Sequence, residues 1–150
     1  MFNHGIVYTC DSQQLQQQSS VCRSAQSADE PNIEFIVQFG TSDLDNAEDV
    51  FADSSGVYVV GLTDGTFSGQ TNEGGDDVFI RKYNSDGDEV WTRQFGTSGA
   101  DFARGVSADS SGGVYVAGST EGTFLGETSL GRIDAFLAKL VDDDGHKKEH

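Results

Sequence analysis

The sequence predicts an all-β fold of short antiparallel strands, and three observations carry that prediction. The chain repeats itself from Glu34 onward, each repeat is made of short β-branched and aromatic runs, and glycine-bearing turns separate the runs. Nineteen glycines beside a single proline, with 35% apolar residues, fit a turn-rich globular chain, and no apolar run is long enough to span a bilayer as a helix.

The repeat is explicit. Gln38-Phe39-Gly40-Thr41-Ser42 returns as Gln94-Phe95-Gly96-Thr97-Ser98, and Asp53-Ser54-Ser55-Gly56 as Asp109-Ser110-Ser111-Gly112, both 56 residues on. The extra Gly113 shifts the offset to 57, after which Val57-Tyr58-Val59 matches Val114-Tyr115-Val116 and Thr63 to Phe67 matches Thr120 to Phe124. Of 46 aligned positions 27 are identical, far beyond coincidence, so the chain carries a true tandem repeat.

Four strands are expected in each unit. The first covers roughly 46–53, or 103–109 in the second copy, and ends in the Asp-Ser-Ser-Gly turn. The second is Val57 to Thr63, or Val114 to Thr120, rich in β-branched and aromatic side chains. The third is Asp77 to Tyr83, or Asp134 to Leu140, and Asn84-Ser85-Asp86-Gly87 then supplies a tight turn whose glycine tolerates positive φ. The fourth is Glu89 to Phe95 with the only tryptophan, Trp91, and Glu34 to Gly40 aligns with it, Phe35 standing in for Trp91. Short strands at this spacing, with one large aromatic per unit, suit the four-stranded blades of a β-propeller.

The strings Trp91 to Ser98, Asp109 to Gly112, Tyr115-Val116-Ala117-Gly118, Gly122-Thr123-Phe124 and Asp134 to Lys139, with Asp101, resemble the SBBP repeat, the bacterial and archaeal "seven-bladed β-propeller" repeat. The resemblance covers about 34–145. It implies a propeller fold and a secreted or surface-attached parent protein, and it brings no catalytic residues with it. The expected organisation is a flexible Gln/Ser-rich arm over 1–33, followed over 34–150 by two SBBP-like repeats, about 34–89 and 90–145. No signal peptide is visible at the start, which lacks a basic stretch and an apolar run.

The strand order is fourth, first, second, third, twice over, so an N-terminal fourth strand stands ready to complete a C-terminal blade, a velcro-type closure. Two blades do not close a ring, which takes roughly four to eight. The expectation is therefore a homo-oligomer in which Glu34 to Gly40 of one chain pairs beside the last third strand of its neighbour, or else a fragment of a longer propeller or a monomer curled into a small open sheet. Three or four copies, a trimer or tetramer, would give six or eight blades.

A formal charge of −16 repels phosphate backbones and speaks against nucleic acid as a partner. No catalytic constellation is legible: His4, His146 and His150 lie outside the repeats, and the adjacent Asp76 and Asp77 point to opposite faces of a strand. No catalytic, cofactor-binding or metal-binding residue is therefore assigned. Calcium is the one cofactor the turn chemistry suggests, at Asn84 to Glu89 and at Asp142-Asp143-Asp144-Gly145, although the distal acid of a calcium loop is lacking and β-turn chemistry alone explains both strings. Cys10 and Cys22 either form a disulfide in an oxidising compartment or remain free thiols.

The functional expectation is a non-enzymatic scaffold or binding module, secreted or at the cell surface. Its ligand face would be the side carrying the longer loops, 40–45, 64–76, 96–101 and 121–133. The alternative is a calcium-stabilised structural repeat of a larger propeller, with no ligand of its own. Phe67 and Phe124, which lie in those loops, are expected to tuck inward as packing residues.

Overall fold

The structure is a computed structural model that describes residues 8–9, 23–24 and 31–141. The chain divides into two compact units, Met1–Glu34 and Phe35–His150. In the first, β1 (Tyr8–Thr9) pairs antiparallel with β2 (Arg23–Ser24), a pairing the sequence reading did not place. The Gln13 to Ser20 stretch, Cys10, Cys22 and the histidines lie outside the described residues, as does Asp142 to Gly145.

The second unit is all-β, with two antiparallel sheets of four and three strands. The first sheet runs β3 (Asp45–Asp53), β4 (Gly56–Thr63), β5 (Asp77–Tyr83), β6 (Glu89–Phe95), each strand beside the next in sequence. The second runs β7 (Asp101–Ala108), β8 (Gly113–Thr120), β9 (Asp134–Val141). Tight turns make these meanders possible: Gly87 and Gly112 sit at φ 85° and 82°, where a side chain would be strained.

The third and fourth strands of the first repeat fall where the sequence placed them, and the first strands start earlier. β7 begins at Asp101 because a bulge between Ala103 and Gly105 absorbs Arg104 and lets pairing resume towards the loop; the same bulge between Ala47 and Asp49 absorbs Glu48.

The expectation of two four-stranded repeats is corrected in one respect. Residues 31–40 carry no regular structure, so Glu34 to Gly40 is not a strand here; among the described residues the second sheet has three strands and ends on a third strand, as the order read from the repeat does. A strand exists by its ladder, and the partner that the repeat alignment gives to Glu34–Gly40 is a third strand of a preceding unit.

The core lies between the sheets. Tyr58 and Val60 of β4 and Val78 and Ile80 of β5 face Ala103 of β7 and Val114 and Val116 of β8, all at most 1% exposed. The two-residue period sends the alternate side chains Phe79 and Tyr83 of β5 to the other face, where they meet Phe39 and Phe67 at ring separations of 5.4–5.8 Å. The second repeat rebuilds this cluster from Phe95, Phe124 and Phe136.

Candidate functional site: the joint between the sheets and the loop face

A small set of polar residues builds the joint where β6 leaves the first sheet and the chain turns into β7. Gln94, near the end of β6, is 7% exposed and commits its whole amide to fastening β6 onto the β4–β5 loop and the start of β5. Its Nε2 donates to Gly65 O at 2.9 Å and to Asp77 Oδ2 at 2.8 Å, and its Oε1 accepts from Phe67 N at 3.0 Å. Asp77 Oδ2 also accepts from Glu73 N at 2.9 Å. Next in line, Asp101 Oδ2 accepts from Thr97 N and Thr97 Oγ1 at 2.6 and 3.0 Å, which fixes the turn leading into β7. Asp45 holds Thr41 the same way at 2.6 and 3.1 Å.

Gly96 lies between the two carboxyls. A methyl there would collide with Asp77 Oδ1 and stand 2.8 Å from Asp101 Oδ2, so only glycine lets the joint close. Asp77 and Asp101 are fully buried, and Oδ1 of each has no hydrogen-bond partner among the described residues.

The long loops meet on one side of this unit, as the meander requires. Asp64 N donates to Leu44 O, Glu121 N to Ala100 O, and Gly75 N to Gly99 O, at 2.8–3.1 Å. The face is acidic. The Asp76 carboxyl is held above its usual range by burial, with the charges of Asp64, Asp77 and Glu121 adding to the effect. Phe67, in the 64–76 loop, is 3% exposed and packs inward, and Phe124 packs on Phe95 and Phe136.

At Asn84 to Glu89, where calcium is the expectation, the Asn84 side chain is engaged within its own turn. Asn84 Oδ1 accepts from Asp86 N at 3.0 Å and Asp88 N at 2.8 Å, and Asn84 Nδ2 donates to Asp88 Oδ2 at 3.2 Å. These are the bonds of a side-chain-capped β-turn. Among the described residues no group of three or more His, Cys, Asp or Glu side chains is arranged to hold a metal ion. Trp91 packs on Tyr58, with ring centroids 6.1 Å apart.

Residues 90–124 match the SBBP beta-propeller repeat family. The matched span runs from β6 through β8 to Phe124, so it takes in the Gln94–Gly96 joint, the Asp101 carboxyl and the first two strands of the second sheet. The SBBP match and the all-β sheets agree on propeller-type repeats. No curated protein matches the chain.

Sequence reasoning missed the joint. Its signal was available: a glutamine recurring at the same place in the two aligned segments, Gln38 and Gln94, flanked by aromatic residues and followed each time by Phe-Gly-Thr-Ser. A polar residue kept at the same place in both copies of a repeat marks a candidate hydrogen-bonding duty.

Proposed function

We propose that the chain is a non-enzymatic β-propeller module, secreted or displayed at a cell surface, that self-associates into a closed ring and offers its loop face as a binding surface. The observation that carries this reading is the unequal burial of equivalent residues. Ile80 is completely buried between the sheets, while its counterpart in the second repeat, Leu137, is 74% exposed. Val106 packs against the core, while its counterpart in the first repeat, Val50, is 60% exposed. A repeat whose two outer faces keep the side chains of its inner joint is built to meet further units of its own kind.

Three or four copies would make a six- or eight-bladed ring, an even number because each copy brings two units. The loops around 40–45, 64–76, 96–101 and 121–133 would then form one continuous face, a rigid scaffold carrying variable loops. The carboxylates of Asp64, Asp76 and Glu121 on that face favour a cationic or polyhydroxylated ligand over an anionic one. Screening the purified chain against glycan and basic-peptide arrays tests this. Binding that disappears in the Asp64→Asn/Asp76→Asn/Glu121→Gln variant supports the loop face, and binding that survives the triple change removes it from consideration.

A further inference from the structure

We propose that the second copy is held by one defined joint: Phe35–Phe39 of one chain adds as a fourth strand beside β9 of another, with Gln38 taking the place that Gln94 holds inside the chain. The proposal rests on the self-association reading above and supplies its geometry.

The intact joint serves as the template. β6 pairs with β5 in the register Val78↔Phe95, Phe79↔Gln94, Ile80↔Arg93, Arg81↔Thr92 and Lys82↔Trp91. Shifting by the repeat offsets gives Ala135↔Phe39, Phe136↔Gln38, Leu137↔Val37, Ala138↔Ile36 and Lys139↔Phe35. Both halves of this joint are open to solvent. A cleft of about 480 Å³ runs along β9 beneath Phe95, Phe124, Phe136 and Leu137. On the other side Ile36 is 79% and Val37 40% exposed, and a second cleft of about 360 Å³ lies between residues 36–39 and the start of β3.

The polar partners are in place as well. Where Gln94 uses Gly65 O, Asp77 Oδ2 and Phe67 N, the second repeat offers Gly122, Asp134 and Phe124 at the matching positions. Asp134 Oδ2 accepts from Leu130 N at 2.9 Å, as Asp77 Oδ2 does from Glu73 N at 2.9 Å, so its carboxyl is held in the same pose. Gly40 matches Gly96, and an ideal methyl on it would stand 2.6 Å from Asp45 Oδ2. Gln38, exposed in this chain, is thus the one strand residue that supplies both donors and the acceptor the cleft requires.

Charge provides an independent argument for a copy of this chain as the occupant. The two bulge residues, Glu48 and Arg104, occupy the same position of their repeats and pair with each other at 3.0 Å. At a joint between chains Arg104 takes the place of Glu48, and the incoming Glu48 takes the place of Arg104. The pair forms again with its polarity reversed, so each copy complements the next around the ring.

The test is cross-linking in the full chain with Cys10→Ser and Cys22→Ser as background. Val37→Cys and Leu137→Cys are placed in separate preparations, mixed, oxidised and run without reductant. The joint predicts a covalent species of twice the 16.0 kDa chain mass in the mixture, well above what either preparation forms alone. Gln38→Ala is predicted to weaken association about tenfold or more, through the buried partners it leaves unpaired, without lowering the melting temperature of the dissociated chain. If the unsubstituted chain is multimeric by light scattering but the mixture gives no such species, the strand-addition joint is wrong while self-association stands. If the unsubstituted chain is a monomer, self-association itself is wrong.

Discussion

Replacing Gln94 by alanine should destabilise the second unit more than any other single polar substitution at the joint. The amide makes three buried hydrogen bonds, to Gly65 O, Asp77 Oδ2 and Phe67 N. Asp77 Oδ2 keeps Glu73 N, so two backbone groups lose their side-chain partner and one carboxylate is left half-satisfied. At about 1–3 kcal/mol for each buried group left unpaired, the loss comes to about 3–5 kcal/mol. For a chain of this size that corresponds to a melting temperature lower by roughly 10–15 °C. Gln94→Glu keeps the shape but loses both donors and sets a second carboxyl against Asp77, so it should be at least as damaging at pH 7. Urea denaturation followed by circular dichroism, at a protein concentration low enough to keep the chain dissociated, measures both. A loss below about 0.5 kcal/mol for Gln94→Ala would mean that water replaces the amide without cost, and would refute the role given to this residue at the joint.

Three further outcomes are expected. Ile80→Ala should cost about 2–5 kcal/mol in the dissociated chain because it opens a cavity between the sheets, whereas Leu137→Ala should cost less than about 0.5 kcal/mol there and act only on association; denaturation at two protein concentrations separates the two. Asp76→Asn should raise the melting temperature at pH 7. In the folded chain the Asp76 carboxyl takes up its proton above the ordinary 3.8, so the folded state holds more protons between that value and the raised one, and the stability it contributes falls as pH rises through this window. The advantage of the Asp76→Asn variant should therefore shrink as pH falls through this window and be gone below about pH 3.8, and thermal scans showing a pH-independent difference would contradict it. Because Asn84 is already engaged within its own turn, millimolar Ca²⁺ and a chelator should give the same melting temperature; a rise of several degrees with Ca²⁺ would restore the calcium-stabilised reading.

Much of the fold was legible because the repeat states its own boundaries. β5 and β6 are fixed on both sides by Asp and Gly turn residues, and their limits are those read from the sequence. β3 and β7 were read short because a bulge breaks the two-residue alternation that marks a strand, and the bulged Glu48 and Arg104 differ in sign between the copies, so alignment by identity passes over them. Glu34–Gly40 has the composition of a strand but no ladder in a single chain, and sequence pattern alone does not reveal whether a partner is present. The Gln94–Asp77–Asp101 joint stayed hidden for a different reason: Gln94 and Asp101 lie 17 and 24 positions beyond Asp77, and only the folded meander brings the three to Gly96.

Whether copies of this chain complete one another is tested most directly by the mass of the particle in solution. Size-exclusion chromatography with multi-angle light scattering is expected to give a single species at three or four times 16.0 kDa. A monodisperse, folded particle at 16.0 kDa that binds no apolar dye would show that the outer faces carrying Leu137 and Val50 need no partner, and would contradict the central claim.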